Sequence, residues 1–188
     1  YVSYQFNYSP SGEHTPYLIR QSLGRKTGEK SFRDFLTSFG HDSTLFDDLS
    51  VRSFGHDATA PFEIRIHLDN KDLPITDVGY GVSQSLPVAI EVFSRKPRST
   101  FLIQQPEVHL HPKAQAALGD FFYDRASGEK KVFFIETHSD YLINRFRIKS
   151  NKDMKSGKKP PAAQVLFFER TEVGNKINPI EILDNGSY

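Results

Sequence analysis

Hydrophobic residues follow two different periods in the first half of the chain. From about residue 30 to residue 39 they recur at i, i+3, i+4 and i+7, which predicts an amphipathic helix that ends at Gly40. The residues on its apolar face are Phe32, Phe35, Leu36 and Phe39. From residue 61 to 68, apolar and polar residues alternate, which predicts a half-exposed antiparallel strand in a small meander. A shorter helix is predicted to begin near residues 14–17.

The second half contains two short, nearly continuous apolar runs. They are Thr100-Phe101-Leu102-Ile103 and Lys131-Val132-Phe133-Phe134-Ile135. Runs of this kind are typical of strands that are covered on both faces of a parallel sheet. Between them, Pro112 is well placed for the first turn of a helix. The residues on one face of that helix are Ala114, Ala117, Leu118, Phe121 and Phe122. The pattern therefore predicts a βαβ unit.

A further helix is predicted from about Ser139 to Arg147, with Ser139 as its N-cap. The polar, basic segment 149–161 contains Gly and Pro, so we expect a mobile loop there. Two more strands are predicted at about 163–169 and 176–183.

These elements predict an α/β fold with a mostly parallel sheet and flanking helices. Residues 1–76 are expected to form a small N-terminal α+β portion, with helices and the meander. Residues 77–188 are expected to form the core that carries the chemistry, with the C-terminal strands. We expect both portions to belong to one lobe.

Composition narrows the class of protein. Lys+Arg 24 and Asp+Glu 23 leave a net charge of +1, which excludes a chain that binds polyanions over its whole surface. There is no Cys, which excludes disulfides, thiolate zinc sites and cysteine nucleophiles and suits a cytoplasmic protein. No apolar run reaches the roughly 18 residues of a membrane span. Because residue 1 is Tyr, we expect a fragment of a longer protein.

Two polar clusters directly follow the two apolar runs. The first is Gln104-Gln105-Pro106-Glu107-Val108-His109-Leu110-His111-Pro112, and the second is Glu136-Thr137-His138-Ser139-Asp140. In parallel α/β sheets, ligands bind at the C-terminal ends of strands. Both clusters are therefore expected at the same edge of the sheet.

A glycine-spaced loop at residues 77–85 precedes another apolar helix. Its backbone N–H groups are suited to an anion, with help from the helix dipole. Pro87 fits this helix if the helix begins at about residues 83–85.

The loop and the two clusters, in this order, resemble the C-terminal half of an ABC-type ATPase head. The resemblance covers about residues 77–147 and is closest to the RecF/SMC-like and OLD-like branch, which includes bacterial antiphage ATPases such as the Septu type. It rests on Gly-Tyr-Gly-Val-Ser-Gln at 79–84, on the cluster that follows Phe101-Leu102-Ile103, and on Glu-Thr-His-Ser-Asp at 136–140. It implies ATP and Mg²⁺ as cofactors.

The resemblance also implies roles for individual residues. Residues 79–84 would be the signature loop, which contacts the γ-phosphate of ATP held by the opposite subunit of a dimer; the candidate contacts are Gly79, Gly81, Ser83 and Gln84. Residues 101–105 would be the Walker B strand. Residues 109–112 would be the adjoining dimer-interface loop, and His138 would be the switch histidine that senses the γ-phosphate.

The sequence departs from the family pattern at the Walker B strand. Gln104 and Gln105 occupy the positions of the Mg²⁺-associated acid and the catalytic Glu. Gln104 can still accept a hydrogen bond from a metal-bound water, but Gln105 cannot act as a general base, a role worth about 10²–10⁴-fold in rate. Slow hydrolysis, or ATP binding without hydrolysis, is therefore expected. Glu107 could replace the base only if its loop turned the carboxylate inward.

No phosphate-binding Gly-x-x-x-x-Gly-Lys-[Ser/Thr] motif is present, and Gly24-Arg25-Lys26-Thr27-Gly28 has the wrong spacing. We interpret that tract as a basic turn. The N-terminal lobe with this Walker A loop is expected from another segment or another polypeptide, and ATPase activity is expected only in the complete assembly.

One alternative is a metal-dependent hydrolase that uses Glu107, His109, His111 and His138, since His-x-His on a strand points both imidazoles to one face. The pentapeptide Ser-Phe-Gly-His-Asp, at 38–42 and again at 53–57, also suggests His-Asp ligands. For the pentapeptide we favour coincidence or turn chemistry, since two copies do not make a repeat architecture.

A second alternative is a non-enzymatic nucleic-acid module. Its support is a local basic segment, whose members are Arg145, Arg147, Lys149, Lys152, Lys155, Lys158 and Lys159. A solvated loop explains the same residues. The interpretation we favour is an ATPase lobe in a homodimer or higher oligomer, coupled to DNA or to an effector nuclease in antiphage defence or DNA maintenance.

Overall fold

The computed structural model describes residues 9, 12–24, 29–57 and 59–182, and most of the Gly24–Gly28 tract lies outside them. The helices are α1 (Thr15–Leu23), α2 (Glu29–Ser43), α3 (Tyr80–Ser94), α4 (Pro112–Glu129) and α5 (Asp140–Lys155), with a 3₁₀ turn at Ile75–Asp77. The strands are β1 (Asp48–Ser53), β2 (Phe62–Leu68), β3 (Lys71–Pro74), β4 (Thr100–Gln104), β5 (Val132–Glu136), β6 (Gln164–Thr171) and β7 (Gly174–Glu181). No helix among the described residues is long and apolar enough to cross a membrane.

The first three strands form the predicted antiparallel meander, in the order β1-β2-β3. In its register Leu49 pairs with Ile66 and Val51 with Ile64. Leu49, Ile64 and Ile66 are buried because they lie on the face that meets the core. The opposite face carries Arg65, whose guanidinium donates to Glu63 and to Asp72.

Helix α2 has the predicted aromatic face, and all four of its predicted apolar side chains are buried. The predicted end at Gly40 is wrong, because the helix continues to Ser43. A Cβ at Gly40 would lie 2.4 Å from the carbonyl oxygen of Phe46, so glycine is needed there for a close approach of the chain to the helix. Helix α2 ends instead where Thr44 takes a left-handed conformation, with φ of 54°.

The two copies of Ser-Phe-Gly-His-Asp have different structures. The first lies inside α2, and the second covers the end of β1 and the loop after it. In the second copy, Asp57 accepts hydrogen bonds from the backbone N–H and the hydroxyl of Thr59, which is turn chemistry. No group of three or more His, Asp or Glu side chains in the described part of the chain is arranged to hold a metal.

Strands β4 and β5 are parallel and are joined by α4, as the apolar runs predict. Pro112 is the first residue of α4, and the cap is His111, whose Nδ1 accepts the N–H of Ala114 at 3.3 Å. The predicted inner face of α4 is buried. This βαβ unit confirms the α/β class, with β4 and β5 as its parallel pair.

Only one face of the β4–β5 pair is covered within the described residues, so the prediction that both faces are buried is wrong for this part of the chain. On the covered face, Phe101 and Phe133 stack at 5.3 Å between ring centroids and pack against the core. On the other face, Leu102 is 84% exposed and Phe134 is 63% exposed. Large apolar side chains rarely lie side by side on a solvent-exposed surface, so this face has the character of an interaction surface.

Helix α5 is longer than predicted, since it extends to Lys155 through most of the segment expected to be a loop. Contacts between α4 and the part of α5 beyond Arg147 explain the difference, and one of them is the bond from Lys149 to Asp124 at 2.6 Å. Contacts also hold the predicted part of the helix. Arg145 makes hydrogen bonds of 2.7 to 3.1 Å to Asp120, and the pKa of Arg145 is raised chiefly by these bonds. Further along the same two helices, the Tyr123 hydroxyl donates to Asp153 at 2.8 Å. Burial and this bond raise the pKa of Tyr123.

Strands β6 and β7 form an antiparallel hairpin, close to the two predicted strands. The hydrophobic core joins the N-terminal elements to the βαβ unit, since Phe35 of α2 stacks on Phe93 of α3 at 4.2 Å and lies 5.6 Å from Phe121 of α4. The division at residues 76 and 77 stays a prediction.

Candidate functional site

The two predicted polar clusters meet at the C-terminal edge of β4 and β5. Gln104 and Glu136 are register partners at the ends of the two strands. The backbone N–H of Gln105 then donates to the carbonyl oxygen of Glu136 at 2.8 Å, which extends the pairing by one bond. Both loops therefore leave the sheet side by side.

Both glutamine side chains point to one carboxylate. The Nε2 of Gln104 donates to Oε2 of Glu136 at 3.1 Å, and the Nε2 of Gln105 donates to Oε1 at 3.1 Å. Glu136 is not one of the catalytic, nucleotide-binding or metal residues predicted from the sequence, although it lies in the second polar cluster. The signal that could have found it is the parallel register, which places the last residues of neighbouring strands together.

Glu107 turns inward, as its candidate role required. The residue is only 7% exposed, and its Oε1 accepts the backbone N–H of His138 at 2.6 Å. Its second oxygen, Oε2, is buried and has no hydrogen-bond partner among the described residues. A buried carboxylate oxygen without a partner is costly, and a water, a proton or a bound group at Oε2 would remove that cost.

A second bridge joins the loops through Gln115 of α4. Its amide donates to the carbonyl oxygen of Leu110 at 2.8 Å, and its Oε1 accepts the hydroxyl of Ser139 at 2.6 Å. The Ser139 Oγ also accepts the N–H of Leu142 at 3.1 Å, so Ser139 is the predicted N-cap of α5. His138 directly precedes this cap and is exposed at the start of the helix.

The first loop holds two non-glycine residues in the left-handed region. Gln105 has φ of 43° and His109 has φ of 65°. Such conformations cost of order 1–3 kcal/mol each and persist only where the surroundings hold them. Here the backbone bonds from Val108 to Gln105 and from Leu110 to Glu107 hold the turn.

Residues 21–143 match the family model of the AAA ATPase domain AAA_15. The chain belongs to this AAA ATPase family. No curated protein matches the sequence.

Solved heads of SMC ATPases share the fold of this AAA ATPase domain. One, from work on ATP-driven dimerization and DNA-stimulated activation, has a TM-score of 0.58 and 12% identity over 89% of both chains. An SMC head bound to the C-winged helix domain of ScpA has a TM-score of 0.59 and 12% identity, over 89% of this chain and 50% of that one. A third, from Pyrococcus furiosus with an extended coiled coil, has a TM-score of 0.55 and 11% identity, over 89% and 39%. At these identities the likeness is one of fold.

In the AAA ATPase domain, residues 79–84 are mostly helical rather than a loop. Gly79 is the N-cap of α3, so the helix begins before residues 83–85 and the condition under which Pro87 would fit its first turn is not met. The bond from the Val82 N–H to the Gly79 carbonyl begins the helix early. Ser83 and Gln84 are exposed in its first turns. Pro87 consequently lies inside the helix and leaves the Ser83 carbonyl without its usual helical partner.

The start of α3 lies against the loop that follows β4. A Cβ at Gly81 would be 3.2 Å from the carbonyl oxygen of His109, and the rings of Tyr80 and His109 have centroids 5.4 Å apart. His111 instead caps α4, and its Nε2 lies 3.4 Å from the Thr44 hydroxyl. The two imidazoles therefore have separate partners rather than a shared metal.

Proposed function

We propose that this chain is the C-terminal lobe of an ABC-type ATPase head, which binds ATP with Mg²⁺ at a dimer interface and hydrolyses it slowly. The observation that carries the proposal is the meeting of Gln104, Gln105, Glu107, Glu136 and His138 at one sheet edge. Family membership and the likeness to SMC heads support the same conclusion.

The exposed face of β4–β5 supports a second lobe. Leu102, Val132 and Phe134 form an apolar strip on this face, next to the proposed site. A lobe that packs there would bury the strip and bring a phosphate-binding loop to the strand ends. We assign this role to an N-terminal lobe that carries the Walker A motif, which the sequence of this chain lacks.

The start of α3 would contact the ATP that the opposite subunit holds. A Cβ added at Gly79 would have no described atom within 4 Å, and Ser83 and Gln84 are exposed, so a phosphate can approach the helix N-terminus. In this arrangement Gly79, Gly81, Ser83 and Gln84 of one protomer contact the γ-phosphate held by its partner. His138 would contact the same phosphate from the protomer that holds it.

The donor set at the edge fits Mg²⁺, which prefers oxygen ligands and keeps several waters. The carboxylate of Glu136 and the amide oxygen of Gln104 are the available oxygens. When bound, Mg²⁺ would neutralise charge on the β- and γ-phosphates. Gln105 can orient a water through its amide but cannot accept its proton, so the inward Glu107 is the candidate base.

Coupling to DNA or to an effector nuclease, in antiphage defence or DNA maintenance in the cytoplasm, completes the proposal. Lys152, Lys155, Lys158 and Lys159 are exposed at the end of α5 and just after it. Arg145 and Lys149 are instead engaged by Asp120 and Asp124 of α4. The distal lysines are therefore better placed for phosphates of a nucleic acid.

The test uses the complete protein that contains this chain. We expect the wild type to bind ATP, to dimerise in the presence of ATP and to hydrolyse ATP slowly. We expect the His138→Ala variant to retain ATP binding but to hydrolyse ATP about tenfold or more slowly than the wild type. Light scattering with and without ATP measures dimerisation, and phosphate release measures turnover. Dimerisation without turnover would identify a non-hydrolysing ATP sensor. Absence of ATP binding would refute the proposal.

A further inference from the structure

Glu136 is a carboxylate at the strand edge that the fold holds in place without neutralising it. Two carboxamides donate to it, one to each oxygen. No ion pair among the described residues includes Glu136 or Glu107. In the described part of the chain, the strand ends therefore carry two acidic groups with no basic side chain paired to either.

Glu136 lies beside Gln104, the position on β4 where the resemblance leads us to expect an acidic residue. Glu136 is the register partner of Gln104 on the neighbouring strand, so the two side chains lie on the same face of the sheet. Adjacent strands are about 4.8 Å apart. The Glu136 carboxylate thus lies one hydrogen bond, 3.1 Å, from the Gln104 amide, directly beside the position where β4 would carry an acid.

Glu107 gives an independent sign that a ligand belongs here. Its Oε1 is fixed by the N–H of His138, two residues after Glu136. Since both oxygens share one carbon, the buried and unpartnered Oε2 lies at this same turn. An oxygen in that situation is satisfied by a cation, by a water bound to a cation or by a proton.

We infer that Glu136 supplies the carboxylate of the divalent-cation site, in place of the acid missing from β4, and that Gln104 and Gln105 orient it. The inference rests on the proposed ATP-binding function and names the residue that holds the cation within it. The cation is one that takes oxygen ligands, such as Mg²⁺ or Mn²⁺, and Glu136 meets it directly or through a bound water.

A structural role alone explains this arrangement less well. Gln104 and Glu136 are both exposed, and hydrogen bonds in water contribute little to stability. Two amides that donate to one exposed carboxylate do, however, fix its orientation and the direction of its free lone pairs. Groups that surround a metal ligand orient it in the same way.

The experiment measures Mn²⁺ binding by electron paramagnetic resonance in the complete protein, with a saturating non-hydrolysable ATP analogue. We expect Glu136→Gln to weaken Mn²⁺ binding about tenfold or more while the melting temperature is unchanged. Asp140→Asn is the matched control, because Asp140 is an exposed acid at the start of α5 outside the amide pair. It should bind Mn²⁺ as the wild type does.

An exchange of the two groups gives the second test. The double variant Gln104→Glu/Glu136→Gln keeps one amide and one carboxylate in register and moves the acid to β4. We expect Mn²⁺ affinity within about threefold of wild type. Affinity as low as in Glu136→Gln alone would overturn the role as cation ligand.

The outcomes separate this inference from the proposed function. If the wild type binds the ATP analogue and Glu136→Gln binds Mn²⁺ equally well, the inference is wrong and the ATPase proposal stands. If the wild type binds no ATP analogue at all, with or without Mn²⁺, the proposed function fails and the inference fails with it.

Discussion

At the scale of single residues, the partners of each polar atom decide what the site can do. Gln104 and Gln105 both donate hydrogen bonds to Glu136. A neutral amide cannot supply the negative charge of a carboxylate or accept a proton as a carboxylate does. Glu107 has one oxygen on the His138 backbone and one without a partner among the described residues. In the proposed function, the chemistry of this edge would therefore depend on Glu107 and Glu136 rather than on the two glutamines.

Two variants of Glu107 separate a general base from a positioning residue. Glu107→Gln keeps an acceptor for the His138 N–H, and Glu107→Ala removes it. If Glu107 is the base, both variants should lose about 10²–10⁴-fold in single-turnover ATP hydrolysis by the complete protein. If it only positions His138, the Gln variant should retain most of the rate. An unchanged rate in Glu107→Ala would exclude both roles.

The surroundings of Glu129 predict that the free energy of unfolding depends on pH. Burial opposes its ionisation, but hydrogen bonds from Lys131 and Arg125 outweigh burial and lower the pKa of Glu129 below its ordinary 4.5. The Lys131 Nζ is fully buried and lies 2.6 Å from the Glu129 carboxylate. Because the folded state favours the ionised form, this contribution is complete above about pH 4.5 and is lost as pH falls through the lowered pKa.

Glu129→Gln should therefore lower the free energy of unfolding by about 1–3 kcal/mol at pH 7. The difference from wild type should shrink below pH 4.5. Urea denaturation at about pH 7 and about pH 4 measures it. The matched control is Glu172→Gln, an exposed acid in the β6–β7 turn, which should change stability little at either pH. Equal destabilisation by Glu129→Gln at both values would contradict this account.

At the scale of elements, the crossing of α4 and α5 fixes where the second loop of the site begins. A Cβ at Gly119 would lie 2.6 Å from the carbonyl oxygen of Leu142 and 3.1 Å from the Cβ of Arg145. The two helices can approach this closely only because residue 119 has no side chain. Ser139, the cap of α5, and His138 before it depend on that approach.

Gly119→Ala should destabilise the protein by about 1–3 kcal/mol, since the helices must separate to admit the methyl group. Gly128→Ala is the matched control in the same helix, because a Cβ there would meet no described atom within 4 Å. That change should stabilise by about 0.4–1 kcal/mol through helix propensity. Thermal melts of both variants measure the effect, and similar shifts for the two would argue against the close crossing.

At the scale of the whole molecule, the face of β4–β5 that carries Leu102 and Phe134 is an apolar surface that the described residues leave uncovered. Leu102 and Phe134 are large, apolar and mostly exposed, although their strand neighbours on the other face contact the core. A sheet with one exposed apolar face next to the candidate site is what the proposed two-lobed head would require. The proposed N-terminal lobe would complete both the core and the phosphate site.

Phe134→Asp should disrupt this packing in the complete protein. We expect a fall in melting temperature of several degrees and ATP affinity weaker by about tenfold or more, since a charge would enter a buried interface. Val173→Asp, at a side chain that is 99% exposed in the β6–β7 turn, is the control and should change neither quantity. If Phe134→Asp behaves as this control does, the face is solvent-exposed in the complete protein.

The sequence by itself was enough for the elements whose signal is local. The phenylalanines of α2, the alternation in β2, the two apolar runs and the Ser139 cap depend on neighbours along the chain, because period and capping follow from backbone geometry. The placement of two polar clusters at one edge followed as well, since parallel strands end on the same side.

Only the tertiary structure decided the rest. Helix α2 continues past Gly40, where Phe46 approaches too closely for a side chain, and α5 continues past Arg147, where α4 supplies Asp124 and Tyr123 as partners. The exposed face of β4–β5 and the partners of Glu136 are likewise set between segments that are distant in sequence. A hydrophobic run is the same whether or not a second layer covers it, and a polar side chain gains its role from the atoms that the fold places opposite it.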